Sequence, residues 1–335
     1  MKRALGLAVL AAALLLGACA APPLSPPPAP PGSLAPRLTA TEFVADDGAA
    51  LPLRAWRPEG ETKAVILALH GFNDYSSAFA EPAEDWTKLG IATYAYDQRG
   101  FGEAPNRGGW VGAQRLALDV QEVSALLRAR YPGRPLVILG ESMGGAIAIV
   151  AATGAEGTPP PAADALVVVA PAVWGRSSMT ALERAALWLA DGVVPGMTLT
   201  GEGLHIKPSD NTEMLRALSR DPLVIKATRV AAIKGLVDLM DDAAAAAPHL
   251  RAPMLFLYGD RDEVIPKEPT RRFLAALPAD EQRRVAFYPN GYHMLLRDLD
   301  ASLVRKDVAA WLADRDGPLP SGADRHAQET LTATR

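Results

Sequence analysis

The fold of this chain is decided by one stretch of sequence, LVILGESMGGAIAIV at residues 136–150. An apolar run comes first, a Gly-x-Ser-x-Gly turn follows, and a run of small apolar residues comes last. This order predicts a strand, a sharp turn and a helix. The turn leaves room only for glycine on either side of Ser142, which accounts for Gly140 and Gly144. It would lift the Ser142 hydroxyl above the sheet edge, towards the free N–H groups at the start of the helix.

A serine hydroxyl becomes an effective nucleophile when a histidine takes its proton and a carboxylate orients that histidine. Candidates for both partners follow Ser142 in the chain order that this turn requires. The apolar run 254–258 leads into Gly259-Asp260-Arg261-Asp262, and the run 285–288 leads into Pro289-Asn290-Gly291-Tyr292-His293. We therefore expect a catalytic triad of Ser142, an aspartate of the first loop and His293. A plain helix N-cap is the other role open to Ser142.

At these positions the chain resembles the α/β-hydrolase superfamily, and more closely its bacterial lysophospholipase and monoacylglycerol-lipase-like branch. The resemblance spans residues 38–312 and is carried by the Ser142 turn, Gly259-Asp260-Arg261-Asp262, Gly291-Tyr292-His293, His70-Gly71-Phe72 and Asp97-Gln98-Arg99-Gly100-Phe101-Gly102. The family's Gly-x-x-Asp spacing implies that Asp262, rather than Asp260, is the triad acid. The resemblance also implies that the backbone N–H groups of Phe72 and Met143 form the oxyanion hole. The bulky side chain of Phe72 would narrow the acyl entrance.

Three polar residues of these motifs are expected to have structural roles. His70 would position the oxyanion loop through a hydrogen bond, because another histidine already follows the last strand. Asp97 and Arg99 would tie down the loop after the fourth strand, and neither is expected to be catalytic.

Strand-like and helical patterns alternate along the chain. Eight strands are predicted, at residues 42–45, 51–57, 64–69, 92–97, 136–140, 165–169, 254–258 and 284–288. Helical patterns separate most of them, as in the apolar stripe of Leu116, Val120, Val123 and Leu127. The alternation predicts an α/β-hydrolase fold, with a mostly parallel, doubly wound eight-stranded sheet and its site at the carboxyl ends of the strands.

The sheet pattern is interrupted at residues 174–250, where the family commonly inserts a helical cap. One helix is predicted through Met179, Leu182, Ala186 and Leu189, and another from Asp221-Pro222 through Met240. These stripes are expected to pack against each other and the sheet. As a whole, an apolar cap would give an acyl chain a dry groove. We expect Phe72 and Trp188, the largest apolar side chain of the first cap helix, to bind substrate.

The two ends of the chain lie outside the expected hydrolase domain at 38–315. Residues 1–19 have the pattern of a signal peptide, and Leu16-Gly17-Ala18-Cys19 resembles the bacterial lipobox, in which the cysteine is lipidated. Cys19 is the only cysteine. Ordinary cleavage after Ala18-Cys19-Ala20 is the alternative. A proline-rich linker at 20–37 would hold the enzyme off a membrane of the bacterial envelope, on the periplasmic side. Residues 316–335 are polar and aperiodic and are expected to be disordered.

Composition narrows the function classes. The net charge is −4, and the chain has no cluster of Lys and Arg, so nucleic acid is not an expected partner. It also has no phosphate-binding glycine motif and no His and Cys spacing suited to zinc, so neither a cofactor nor a metal is expected. Oligomeric state is not determined by these features.

The sequence therefore predicts a serine carboxylic-ester hydrolase, anchored to a membrane, that acts on lysophospholipids or monoacylglycerols through an acyl-enzyme. Two alternatives stay open at this point. One is an aminopeptidase on the same scaffold, and Glu183, Glu202 and Glu213 in the cap could serve a substrate amine. The other is a non-enzymatic envelope protein that keeps the fold for binding.

Overall fold

A central sheet organises the molecule. The computed structural model describes residues 30, 32–154, 159–201, 203, 205–279 and 282–333. Its strands are β1 (Arg37–Leu38), β2 (Glu42–Val44), β3 (Ala50–Trp56), β4 (Ala64–Leu69), β5 (Ile91–Tyr96), β6 (Leu136–Glu141), β7 (Ala165–Val169), β8 (Thr198–Thr200), β9 (Ala227–Arg229), β10 (Met254–Gly259) and β11 (Arg283–Tyr288). Nine of these form one sheet in the order β1-β2-β3-β5-β4-β6-β7-β10-β11. The strands from β5 to β11 in this order are parallel, and β3, β2 and β1 extend one edge in antiparallel fashion.

Helices cover both faces of the sheet. They are α1 (Ala80–Thr87), α2 (Ala113–Arg130), α3 (Met143–Ala152), α4 (Ala181–Val193), α5 (Thr212–Arg220), α6 (Val230–Ala246), α7 (Lys267–Ala276), α8 (Ala301–Ala313) and α9 (Ala323–Thr332). Single 3-10 turns occur at Ser76–Phe79, Arg176–Ser178 and Ala247–His249. Within the described ranges, none of the helices combines the length and the apolar character that a membrane span needs.

Two apolar cores lie on opposite faces of the sheet, because successive side chains of a strand point to opposite sides. In β6, Val137 and Leu139 belong to one core and Ile138 belongs to the other. Helices α2, α3 and α6 cover the Ile138 side, and α1 and α8 cover the Val137 side. The predicted α/β-hydrolase fold is confirmed, and the predicted stripe on α2, from Leu116 to Leu127, is buried.

All eight predicted strands are present, each with ends within one residue of the prediction. The ninth strand of the sheet, Arg37–Leu38, was missed. A two-residue strand is too short to show a period of its own, and it exists because it pairs with β2. Arg37 therefore belongs to the sheet and not to the linker.

The prediction that residues 316–335 are disordered was wrong for residues 323–332, which form α9. Ala323, Ala327 and Leu331, four residues apart, form a narrow stripe that packs on the sheet beside β11. Arg284 of β11 pairs with Asp324 at 2.9 Å. Alanine makes the stripe so weakly apolar that the segment reads as polar from its sequence alone.

The insertion between β7 and β10 contains α4, α5, α6 and a small antiparallel sheet of β8 and β9. Its last helix, α6, packs against α3, with Val237 and Met240 in the main core. The part that projects from the domain is therefore residues 176–229, shorter than the expected cap at 174–250. The first apolar stripe does not pack as expected, since Leu182 is 79% exposed and α4 buries no residue.

The predicted second cap helix is present as α6, with Val230, Val237 and Met240 on its buried face, but its predicted start at Asp221-Pro222 was wrong. Asn211 caps α5 by accepting a hydrogen bond from the Met214 amide at 3.1 Å, and α5 ends at Arg220. Asp221 follows as the residue after that helix and accepts a hydrogen bond from the Tyr75 hydroxyl at 2.8 Å. Strand β9 then intervenes before α6 begins at Val230. Asp221 Oδ1 accepts a hydrogen bond from the Leu223 amide at 2.8 Å, as an N-cap side chain would, but the turn that it starts does not continue as a helix.

Replacing Ala327 with Asp tests the packing of α9. The substitution places a carboxylate at a buried position, and we expect it to lower the free energy of unfolding by about 2 kcal/mol or more. Gln328→Asp adds the same carboxylate at the neighbouring exposed position and serves as the control. Urea unfolding measures both variants. Equal stability of the two would contradict the packed helix.

Candidate active site

Ser142 lies in a strained turn between β6 and α3. Its backbone has φ +55° and ψ −115°, a conformation that L-residues rarely adopt. The side chain makes no cap hydrogen bond, so the N-cap role for Ser142 was wrong. A methyl group on Gly144 would collide with the carbonyl of Leu69 at the end of β4. The absence of a side chain on Gly144 therefore lets the end of β4 come close to the turn of Ser142.

His293 follows β11 and is joined to an aspartate that follows β10. The distance from His293 Nδ1 to Asp262 Oδ2 is 2.8 Å, and both side chains are buried. The other oxygen of Asp262 accepts hydrogen bonds from the amides of Val264 and Ile265, at 2.7 and 2.9 Å. These bonds fix the carboxylate, which in turn fixes the imidazole ring.

Asp260, the alternative acid, points elsewhere. Its carboxylate lies 2.8 Å from His326 Nε2 in α9 and 3.1 Å from Lys267 Nζ in α7. The two aspartates of this loop thus have separate partners. Asp262 is the one in contact with His293, as the family spacing implied.

The surroundings of His293 favour its charged form. Burial by itself would lower the pKa of the imidazole, but the charge and the hydrogen bond of Asp262 outweigh burial and raise the pKa above its ordinary value. Glu141 acts in the same direction, and Arg297 acts against it. A histidine in this setting can hold a proton taken from a nearby hydroxyl.

The two amides expected in the oxyanion hole belong to Met143, which follows Ser142 in the chain, and to Phe72, whose loop lies against Ser142. Met143 is the first residue of α3, so its amide has no partner within the helix. Phe72 follows β4, and a Cβ atom built on the preceding Gly71 would lie 3.4 Å from Ser142 Cβ. The hydrogen bonds that the structure records for described residues use neither amide.

His70 and Gln98 fix the loop that carries Phe72. His70 Nδ1 lies 2.9 Å from the Gly71 carbonyl, and its Nε2 accepts a hydrogen bond from the Gln98 amide at 2.9 Å. The Gln98 side chain donates to the His70 carbonyl at 2.8 Å. Burial lowers the pKa of His70, which keeps the ring neutral and able to accept. The predicted positioning role of His70 is therefore borne out by these contacts.

Asp97 and Arg99 have the structural roles expected of them. Asp97 Oδ1 accepts a hydrogen bond from the Ser76 amide at 3.0 Å. Arg99 pairs with Asp47 and Asp119, each at 2.7 Å, in a buried cluster. Both residues hold loops beside the site.

Phe72 and Trp188, the two side chains expected to bind substrate, have different surroundings in the structure. The ring of Phe72 packs edge-on against Phe101 and Trp110, with ring centres 5.5 and 6.3 Å apart. Trp188 on α4 is 77% exposed, so this structure does not place it in a groove beneath the cap. Trp110 was missed, because its loop has no periodic pattern and only the fold brings it to Phe72.

The site as a whole joins His293 to Asp262 and sets the Phe72 loop against Ser142. The recorded hydrogen bonds of described residues do not include one between Ser142 and His293, and such bonds often tighten only when substrate is bound. No group of His, Cys, Asp and Glu side chains in the part of the chain that the structure describes is arranged to hold a metal ion.

The amino-acid sequence is similar to those of several monoglyceride lipases. The chain is 29% identical over 283 residues to a monoacylglycerol lipase of Mycolicibacterium smegmatis, an alignment that covers 81% of this chain and 95% of that protein. It is 27% identical over 274 residues to human monoglyceride lipase, covering 80% and 88% of the two chains.

Solved structures show the same fold. A soluble variant of the Saccharomyces cerevisiae monoglyceride lipase superposes with a TM-score of 0.67 at 19% identity, covering 87% of this chain and 99% of the other. The monoacylglycerol lipase of Paleococcus ferrophilus gives a TM-score of 0.65 at 21% identity, covering 78% and 98%. The family profile described as serine aminopeptidase, S33 (Hydrolase_4) matches residues 60–300. Since this match covers most of the chain, the protein belongs to that family of α/β-hydrolases.

Proposed function

We propose that this protein is a serine carboxylic-ester hydrolase that cleaves monoacylglycerols or lysophospholipids through an acyl-enzyme on Ser142. One observation carries the proposal. A buried His293–Asp262 pair lies beyond the same sheet edge as a serine held at φ +55°. This is the set of groups that acyl transfer needs, and each member follows a different parallel strand.

The mechanism follows from these positions. His293 takes the proton of the Ser142 hydroxyl as its oxygen attacks the ester carbonyl, and Asp262 stabilises the resulting imidazolium. The amides of Phe72 and Met143 donate to the oxyanion, each contributing about 3 kcal/mol to the transition state. His293 then protonates the departing alcohol. A water molecule, deprotonated by His293, releases the fatty acid and restores the serine.

Several features favour an ester over a peptide. The curated relatives described above are named for monoacylglycerol hydrolysis. Of the cap carboxylates that could serve a substrate amine, Glu183 is occupied by a capping box with Thr180 at the start of α4. Glu213 is exposed in the first turn of α5, and Glu202 lies outside the described residues. The family description names an aminopeptidase, so aminoacyl substrates belong in the test.

Anchoring to a bacterial membrane through Cys19 is the second part of the proposal. Cys19 and residues 1–29 lie outside the described residues, so its support comes from the lipobox-like sequence and from where the chain joins the domain. Arg37 of β1 pairs with Val44, and the Leu34 amide binds the Asp46 carbonyl at 2.8 Å. The β2–β3 turn lies at the carboxyl ends of the parallel strands, so the chain joins the sheet on the side of the site.

A panel of ester and amide substrates tests the activity. We expect turnover of monoacylglycerols, lysophospholipids and short p-nitrophenyl esters, and much slower turnover of aminoacyl-arylamides. Ser142→Ala and His293→Ala should each remove nearly all turnover, and the double variant should be scarcely worse because triad members act as a unit. Additive losses would contradict the triad, and faster cleavage of arylamides would favour the peptidase. No turnover of any substrate and no phosphonate adduct on Ser142 would favour a non-enzymatic envelope protein.

Asp262→Asn tests the acid. We expect kcat to fall by about 10⁴-fold, because the histidine tautomer is wrong. Asp262 raises the pKa of His293, and catalysis needs the neutral imidazole. In the pH profile of kcat/KM, the acid limb, where activity is lost as His293 is protonated, should therefore move to lower pH in this variant. Asp260→Asn is the matched control and should leave that limb in place. A larger loss of kcat in Asp260→Asn than in Asp262→Asn would instead assign the role of the triad acid to Asp260.

Membrane fractionation tests the anchor. Wild-type protein should partition with membranes and carry lipid on Cys19, as read from the mass of its N-terminal peptide. Cys19→Ser should be released or left uncleaved, while its turnover of a soluble ester stays unchanged. Soluble wild-type protein that begins at Ala21 would contradict the lipoprotein.

A further inference from the structure

One buried guanidinium connects three loops of the candidate site. Arg297 Nη2 donates to Asp74 Oδ2 at 2.7 Å and to Glu141 Oε2 at 3.1 Å. All three side chains are almost fully buried. Burial would lower the pKa of Arg297, but the two carboxylates outweigh it and raise the pKa, so the group is a permanent cation.

Each residue of this cluster stands next to a different working part of the site. Asp74 comes two residues after Phe72, on the loop of the proposed oxyanion hole. Glu141 immediately precedes Ser142. Arg297 comes four residues after His293, and its amide donates to the Met294 carbonyl at 2.8 Å. The loop of the base, the turn of the nucleophile and the loop of the oxyanion hole therefore share one cation.

The cluster differs from an ordinary structural ion pair, in which most polar atoms are satisfied. Glu141 Oε1 and Arg297 Nε are buried and have no hydrogen-bond partner among the described residues. By contrast, Arg115 makes four hydrogen bonds to Asp46, Asp119 and Glu122, at 2.6 to 3.1 Å, away from the site. Incomplete satisfaction of buried polar atoms is costly and is therefore most often kept where it serves function.

We propose that Arg297 is a positioning residue, which holds the Phe72 loop and the Ser142 turn in register with the loop of His293 and offsets the charge of Glu141. It acts through these residues and does not contact substrate. The proposal rests on the Ser142 and His293 mechanism given above. A neutral residue in its place would leave Asp74 and Glu141 as uncompensated buried carboxylates, which repel each other and displace their loops.

Several charged groups face His293 and its loop. The pKa of His293 responds to Asp262 and Glu141, which raise it, and to Arg297, which lowers it. Asp298, the next residue along, accepts hydrogen bonds from the Tyr292 amide and the Ser209 hydroxyl at 2.7 and 2.6 Å. Burial, together with the charges of Asp210 and Glu141, raises the pKa of Asp298 to about 6, so Glu141→Gln should lower the pKa of Asp298 in the same direction as that of His293.

The test compares kcat, KM and the acid limb of kcat/KM for a short p-nitrophenyl ester. Arg297→Met should lower kcat by about a hundredfold with little change in KM, since misplaced loops affect the transition state more than binding. Its acid limb should move to higher pH, because a cation that opposes protonation of His293 is gone. Glu141→Gln should move the limb to lower pH, because an anion that favours protonation is gone.

Two further variants separate positioning from folding. Arg297→Lys keeps the charge and should leave the acid limb at the wild-type pH, with kcat restored only in part because lysine lacks the planar fork. Arg115→Met removes a guanidinium that is also paired with carboxylates but lies outside the site. It should lower thermal stability without changing the acid limb or the kcat of the folded fraction.

The outcomes are distinguishable. Opposite shifts for Arg297→Met and Glu141→Gln support the proposal. Acid limbs that do not move, or that move in the same direction, would overturn the proposal. An Arg297→Met variant that, like Arg115→Met, loses only thermal stability would overturn it as well. If Arg297→Met does not fold, the proposal is supported by an acid limb that moves to lower pH in Glu141→Gln together with an unmoved limb and a lowered kcat in Arg297→Lys, and any other pair of results overturns it. Absence of ester turnover in the wild type would instead refute the proposed function.

Discussion

The close approach of two strand ends constrains the rest of the site. Gly144 lies directly against the carbonyl of Leu69, where any side chain would collide. This contact sets the distance between the turn of Ser142 and the loop of Phe72, and so between the proposed nucleophile and one proposed oxyanion donor. The parallel sheet then brings Asp262 and His293 to the same edge, because each follows the carboxyl end of its own strand. The steric contact and the sheet direction bring these groups together, and hydrogen bonds such as those from the Val264 and Ile265 amides to Asp262 then fix their side chains.

Local patterns account for the parts of the structure that the sequence predicted well. The eight strands are apolar runs that alternate with helices, and the turn at Ser142 needs glycines that are visible in the sequence. Asp262 and His293, the proposed acid and base, were found because each lies in a loop that follows a recognisable strand. Where the local signal was weak, prediction failed. The stripe of Ala323 and Ala327 in α9 is buried only beside β11, and the cap-type hydrogen bond of Asp221 starts a turn that does not continue as a helix.

Long-range charge pairing is what the sequence could not provide. Arg297 meets Asp74 across 223 residues and Glu141 across 156 residues, and no spacing rule relates them. The choice between Asp260 and Asp262 came from family spacing and not from the residues alone. In the structure, His326 and Lys267 contact Asp260, and His293 contacts Asp262. Electrostatic arrangement therefore emerges only after the backbone has folded.

The cap adds a physical argument about the substrate phase. Much of the exposed large apolar surface of the described residues lies in one segment, at Leu182, Trp188, Leu189, Val193, Val194, Met197, Leu199 and Ile206. Large exposed apolar surfaces on soluble proteins usually have a function. Strand β9 of the same segment reaches the site, because Thr228 accepts a hydrogen bond from Asn73 at 2.7 Å, beside Phe72. An apolar surface connected to the proposed oxyanion loop favours a substrate that comes from a lipid phase. Such a surface would contribute little to the binding of a substrate dissolved in water.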